Sequence, residues 1–283
     1  MNKNTFKTYI LLAALGGLVV LIGASFGRGG AIIGLAIGLV MVGGSYWFSD
    51  KMAIAASGAK PVTEADAPGL YRMMRELTTA TNMPMPRIYV IPSAQPNAFA
   101  TGRNPDRAVV AVTQGIMDLL TEDELRGVLA HELAHVGNRD ILIGSVAAAI
   151  AMGITFIARM AMWGAMFGGG GRDDEGGNNI FGLLAMMILA PLAAMLLQMA
   201  LSRSREFEAD RTGAHMIGNG EALARALEKM EIAAKRVPMD VNPAQATMYI
   251  VNPLAGRKVN FAKLFSTHPP TDERIARLRG PLH

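Results

Sequence analysis

Four long apolar stretches punctuate the chain, at 9–26, 31–48, 141–158 and 180–201. Each approaches the roughly 20 residues that cross a hydrocarbon core at about 1.5 Å rise per residue. The pattern therefore predicts an integral membrane α-helical protein with about four transmembrane helices. The first two stretches are separated only by Gly27-Arg28-Gly29-Gly30 and read as a hairpin. The first also has the length of a cleaved signal peptide, but no A-x-A site precedes the second, so a retained hairpin is expected. The third and fourth contain more small residues and suit a buried core helix better than the first two do.

Between and after these runs the pattern changes to that of a folded, mixed α+β domain. Residues 67–81 carry Leu70, Met73, Met74 and Leu77 on one helical face and stop at "NMPMP", where two prolines forbid helix. "RIYVI" (87–91) and "AVVAVT" (108–113) read as strands, with the turn-rich "GRNPDR" before the latter. "PNAFATG" between them is short and glycine-ended, an edge strand or extended segment. In "TEDELRGVLAHELAHV", Thr121 and Glu124 form a capping box that starts a helix, and Leu125, Val128 and Leu129 give it a buried stripe. The chain divides accordingly into a transmembrane hairpin (1–50), a first catalytic part (51–140), the third and fourth hydrophobic segments (141–201) and a second catalytic part (202–283).

Charge orients this arrangement. Lys3 and Lys7 precede the first run, and Lys51, Lys60, Arg72 and Arg75 follow the second, whereas the hairpin turn offers only Arg28. The loop 168–179, "GGGGRDDEGGNN", sets one Arg against Asp173, Asp174 and Glu175. The positive-inside rule then puts both termini and the polar domain in the cytoplasm, and the 168–179 loop outside. The net charge of +4 reflects this bias; without a basic-aromatic pattern it does not indicate nucleic-acid binding. The chain has no cysteine, which excludes disulfides, thiolate metal sites and a cysteine nucleophile.

The candidate chemistry lies in "HELAH". His131 and His135 are four apart on the capped helix, so both imidazoles project from one face and can meet one metal ion. Glu132 lies beside them, placed to take a proton from a metal-activated water. The longer pattern with a further Gly and His is excluded, because Asn138 and Ile141 occupy those positions. Asp173, Asp174 and Glu175 fall on the opposite side of the membrane. That leaves "SRSREFEAD", in which Glu206 and Asp210 share a helix face while Glu208 points about 200° away. Read from spacing alone, the run serves a solvated helix end as well as a ligand helix. If the His131 helix runs on into the third apolar stretch, His135 sits on the order of 10 Å from the membrane boundary.

Taken together, "HELAH", "SRSREFEAD", "PNAFATG" and the terminal "FSTHPPTDERIARL" resemble the HtpX-type membrane-bound zinc metalloproteases, relatives of the CAAX prenyl proteases, over essentially the whole chain. The resemblance implies a zincin-type (gluzincin) domain holding one zinc ion per subunit, with His131, His135 and Glu206 as ligands, Glu132 as catalytic base and Asp210 supporting the ligands from behind. It also implies a multi-pass protein of the bacterial cytoplasmic (inner) membrane. Its active site would face the cytoplasm and act on protein or peptide substrates, misfolded or damaged membrane proteins, in quality control under stress. His268, on a segment directed by Pro269 and Pro270, is the candidate donor to a tetrahedral oxyanion. Asn97, Ala98 and Phe99 are candidates for a sheet edge on which substrate lies as an added strand. Two other readings are weighed against this one. A protease with its motif inside a span is rejected, because "TEDELRG" is too charged for lipid and the "NPD" at 104–106 lies in a hydrophilic segment. The other is a non-catalytic zinc-containing membrane adaptor, against which an intact Glu132 and an open metal position argue.

Overall fold

The structure is a computed structural model that describes residues 27–143, 203–236 and 269–281, with isolated positions between Phe6 and Ala24 and at Val146 and Ile250. His268, Asp173, Asp174, Glu175 and the stretch 180–201 lie outside the described residues, as do much of 9–26 and most of 141–158.

The described elements run α1 (Gly27–Ser57), β1 (Lys60–Pro61), α2 (Pro68–Thr81), β2 (Arg87–Ile91), β3 (Ala98–Thr101), β4 (Val109–Thr113), α3 (Gln114–Leu119), α4 (Glu122–Gly137), α5 (Arg203–Ile217), α6 (Glu221–Arg236) and α7 (Thr271–Leu278). This is the mixed α+β architecture that the polar segments predict. The sheet order is β1-β2-β4-β3, with β2 and β4 parallel and the outer pairs antiparallel. β4 is buried along its length, and among the described residues β3 stands at the end of the sheet, paired with β4. Alternation in the pleat sends side chains to both faces. Ile88, Val110 and Val112 meet the helical core, whereas Ile91, Phe99 and Ala111 pack with Ala53 of α1.

Local signals in the sequence set the helix limits. Leu70, Met73, Met74 and Leu77 are buried as their spacing predicts, and α2 ends with Asn82 in the left-handed region at φ 52° before the prolines. Both halves of the capping box are present: the Thr121 amide donates to Glu124 Oε2 (2.9 Å), and the Glu124 amide to Thr121 Oγ1 (3.4 Å). The same Glu124 oxygen accepts from Lys229 Nζ at 2.7 Å, which ties the start of α4 to α6. The helix does not continue into the third apolar stretch. It closes at Gly137, and Arg139 takes a positive φ of 56° before helical residues resume at Ile141. The condition of a continuous helix is therefore not met: Arg139 turns the chain, and Asp140 is brought back beside α4.

No helix among the described residues is long and apolar enough to cross a membrane. α1 overlaps the expected second span, and it leaves Ile32, Ile33, Leu35, Ile37, Leu39 and Val40 exposed. Near its other end, Arg103 stacks on the Trp47 ring at 4.4 Å, Lys51 lies 5.3 Å from the Phe48 ring, and Asp50 pairs with Arg87.

α4 is buried on nearly every side, and two glycines let its neighbours approach. A Cβ at Gly213 of α5 would stand 2.9 Å from the His131 nitrogen, and one at Gly127 would stand 2.8 Å from the Leu223 nitrogen of α6. Both contacts are with backbone, which cannot swing away. Gly213→Val should therefore push α5 off α4 and cost about 1–3 kcal/mol of stability by overpacking, read from a denaturation midpoint. Gly69→Ala, with open space around the added carbon, should stay within about 0.5 kcal/mol of the parent. Equal responses of the two would remove the close approach as the reason for glycine at 213.

Candidate metal centre

Four residues on α4 and α5 build the site. His131 and His135 project from one face of α4, as a spacing of four requires. Across the Gly213 contact, α5 presents Glu206 and Asp210, also four apart and both buried. The helical period turns Glu208 the other way: it is exposed and pairs with Arg211 at 2.6 Å. His131 Nε2 and His135 Nε2 face each other at 3.2 Å, with the rings nearly perpendicular. Glu206 lies 3.8 Å from the first nitrogen and 3.6 Å from the second. One donor atom from each of the three residues falls within 4.8 Å of the others, so the group can hold a metal ion.

The donor chemistry fits a tetrahedral cation. Two imidazole nitrogens each about 2.1 Å from such an ion stand about 3.4 Å apart, close to the separation seen. Each ring is also backed by a carboxylate on its other nitrogen. Asp140 oxygens lie 3.0 and 3.1 Å from His135 Nδ1. Asp210 Oδ1 lies 2.9 Å from His131 Nδ1, off the line of a straight hydrogen bond. A carboxylate at Nδ1 favours the proton there and leaves the Nε2 lone pair for a metal.

Charge makes the same point. Burial pushes the His135 imidazolium down, but the nearby carboxylates of Asp140, Glu206 and Glu132 outweigh it and hold its pKa up at about 10. The surplus negative charge that retains a proton there equally attracts a cation. Burial alone would raise the Asp210 carboxyl; Arg274, with Nε and Nη2 on its two oxygens at 2.8 and 2.7 Å, holds it well below its ordinary range. Burial pushes the Arg205 guanidinium down against the opposing pull of Asp140 and Glu206.

Three members of this cluster escape sequence reading. Asp140 follows the helix that holds "HELAH" and arrives only through the Arg139 turn. Arg205 sits beside Glu206 in what reads as a solvated acidic-basic run, yet it is buried. Arg274 does leave a trace, since it lies four residues before Leu278 on the apolar face of a short amphipathic helix, where arginine is out of place. Of the remaining expected site residues, Glu132 is buried beside the two histidines. Asn97 lies just before β3, exchanging backbone and hydroxyl hydrogen bonds with Thr113, and Ala98 and Phe99 open the strand.

The description Peptidase family M48 matches residues 64–282, and so takes in every element from α2 onward. Among curated proteins, the chain is 56% identical over 281 residues to "Protease HtpX homolog" of Syntrophobacter fumaroxidans, covering 98% of this chain and 99% of that one. It is 53% identical over 279 residues to the protein of that name from Pelotomaculum thermopropionicum, with 98% and 99% covered. Among solved structures, the crystal structure of S. mikatae Ste24p superposes with a TM-score of 0.52 at 19% identity. That match covers 98% of this chain but 65% of the other, and it speaks for the fold alone. With the family description spanning most of its length and relatives alike from end to end, the chain belongs to peptidase family M48 and is a metalloprotease.

Proposed function

We propose that this protease is a zinc-dependent endopeptidase of the bacterial cytoplasmic membrane. Its active site faces the cytoplasm, and damaged or misfolded membrane proteins are among its substrates. The observation that carries the reading is the convergence of His131, His135 and Glu206 within 4.8 Å, with Glu132 beside them. Two imidazoles and one carboxylate with a position left open are a catalytic zinc ligand set, and one ion per subunit satisfies it.

When bound, zinc supplies the Lewis acidity that polarises a peptide carbonyl and makes water nucleophilic near neutral pH. His131, His135 and Glu206 hold it, and Asp140 and Asp210 keep the two rings turned and protonated on the far side. Glu132 accepts the proton of the attacking water and returns it to the leaving amine. His268 donates to the developing oxyanion. The substrate lies as an added strand along Asn97, Ala98 and Phe99, a role supported by the place of β3 at the end of the sheet among the described residues. An adaptor holding zinc for structure alone would have no use for a carboxylate in the position of Glu132.

The exposed apolar side of α1 supports membrane insertion of the first hairpin. So does the group of Trp47, Phe48, Arg103 and Lys51 beyond it, the side-chain types that favour a membrane–water interface. In this reading the hairpin 1–50 and the segments 141–201 anchor a catalytic unit assembled from 51–140 and 202–283. His135 stands only six residues before Ile141, where the third apolar stretch begins, so hydrolysis takes place close to the bilayer surface.

Glu132→Gln tests the base. It should keep one zinc per chain by metal analysis while cleavage of an unfolded protein such as casein falls by at least about 10²-fold. Substantial residual turnover would exclude Glu132 from proton transfer.

A second pair of variants tests the third ligand. Glu206→Ala should weaken zinc binding and end activity, whereas Glu208→Ala should leave both near the parent values. Loss of zinc from the Glu208 variant alone would reverse the assignment.

Topology is read by labelling. A cysteine at Asn178 should react with an impermeant maleimide in cells whose outer barrier is permeabilised, and one at Ser266 should not. Protection of both would mean that the loop 168–179 does not cross.

A further inference from the structure

Arg274 is 1% exposed, and its guanidinium reaches Asp210, the Ile250 carbonyl and, through Nη2 at 3.4 Å, His131 Nε2. Nε and Nη2 engage both oxygens of Asp210 at 2.8 and 2.7 Å, a planar fork on a planar carboxylate that fixes the rotation of the acid. One of those oxygens, Oδ1, is the atom 2.9 Å from His131 Nδ1. The remaining nitrogen, Nη1, donates to the Ile250 carbonyl at 2.9 Å, and the amide of the same residue donates to the Asn97 side-chain oxygen at 3.1 Å. A continuous buried chain of contacts thus runs from His131 through Asp210, Arg274 and Ile250 to Asn97, which enters the edge strand.

We propose that Arg274 is the positioning residue of this site: it aims Asp210 at His131 and, through the peptide of Ile250, joins the metal ligands to the strand edge offered to substrate. The inference rests on the reading of His131 as a metal ligand. Its physical basis is twofold. A lone buried carboxylate at Asp210 would be an uncompensated charge, which arginine neutralises. Arginine is also the one side chain whose fixed fork can hold both oxygens of the acid while a third nitrogen reaches a carbonyl. α7 supplies it from outside the two ligand helices. The helix is anchored independently by Arg279 on Glu221 and Glu228 (2.8–3.2 Å) and by Arg277 over the Phe207 ring at 3.6 Å. The guanidinium is therefore delivered by the final segment of the chain to a site whose ligands all lie upstream.

The test is zinc affinity by chelator competition on the full-length protein in detergent, with the unfolding midpoint of the metal-free form measured alongside. Arg274→Met should raise the zinc Kd by roughly 10–100-fold, as changes behind a ligand do, and Asp210→Asn should do the same. The double variant should be no worse than either single one, because both remove one device. Arg274→Lys keeps the charge and loses the fork, and should give an intermediate Kd with the midpoint retained. It carries the test alone if the methionine variant does not fold. Arg279→Ala should leave the Kd within about fivefold of the parent, as an exposed ion pair does. An unchanged Kd in both Arg274 variants, or multiplicative losses in the double variant, would overturn the proposal. Failure of the parent protein to bind zinc, or retention of zinc by His131→Ala, would instead overturn the reading of the metal centre on which it rests.

Discussion

The arrangement of this molecule depends on one electrostatic constraint: four carboxylates, those of Glu132, Asp140, Glu206 and Asp210, are buried together beside two histidines. Isolated ionised groups in such surroundings cost several kcal/mol each unless paired. Among the described residues, Arg274 neutralises Asp210 directly, and Arg205 lies in the field of Asp140 and Glu206. With both histidines neutral, as metal ligands must be, two negative charges remain, which a single divalent cation matches. The charge count thus agrees with the ligand geometry, and it explains why two arginines are buried where their sequence neighbours would place them in solvent.

Packing delivers these charges to one point. α4 and α5 can hold ligands for a common ion only if their axes come close, and Gly213 against the His131 backbone permits it. α6 supports α4 through Leu223 against Gly127 and Lys229 on Glu124, and α7 closes the cluster with Arg274. On the other face of the sheet, Ala53 of α1 packs with Ile91, Phe99 and Ala111, so a helix with an exposed apolar half is fastened to the domain that carries the site. The same packing thus joins an exposed apolar helix to the cluster of histidines and carboxylates.

Much of this was legible in the sequence because local physics decided it. Helix spacing placed His131 with His135 and separated Glu206 from Glu208. The Thr121–Glu124 box, the prolines after Thr81 and the β-branched runs marked elements that the structure contains. β1 was not legible, since two residues paired on Val90 and Tyr89 leave no periodic signal. Nor was α3, a six-residue helix capped by the Thr113 side chain. Asp140 was hidden by a backbone turn at a non-glycine residue in the left-handed region, a conformation that sequence rarely announces. Arg274 and Arg205 were hidden for a deeper reason: a buried arginine is recognised by its partner, and those partners are distant in sequence or brought near only by the fold.

The central claim is that His131, His135 and Glu206 enclose one zinc ion. X-ray absorption at the zinc edge of the stoichiometrically loaded protein tests it most directly. The structure predicts a shell of two imidazole nitrogens with oxygen ligands at about 2.0–2.1 Å, with the multiple-scattering signature of imidazole lost in stages as His131 and His135 are replaced. A shell of oxygens alone, or one unchanged by both replacements, would contradict it.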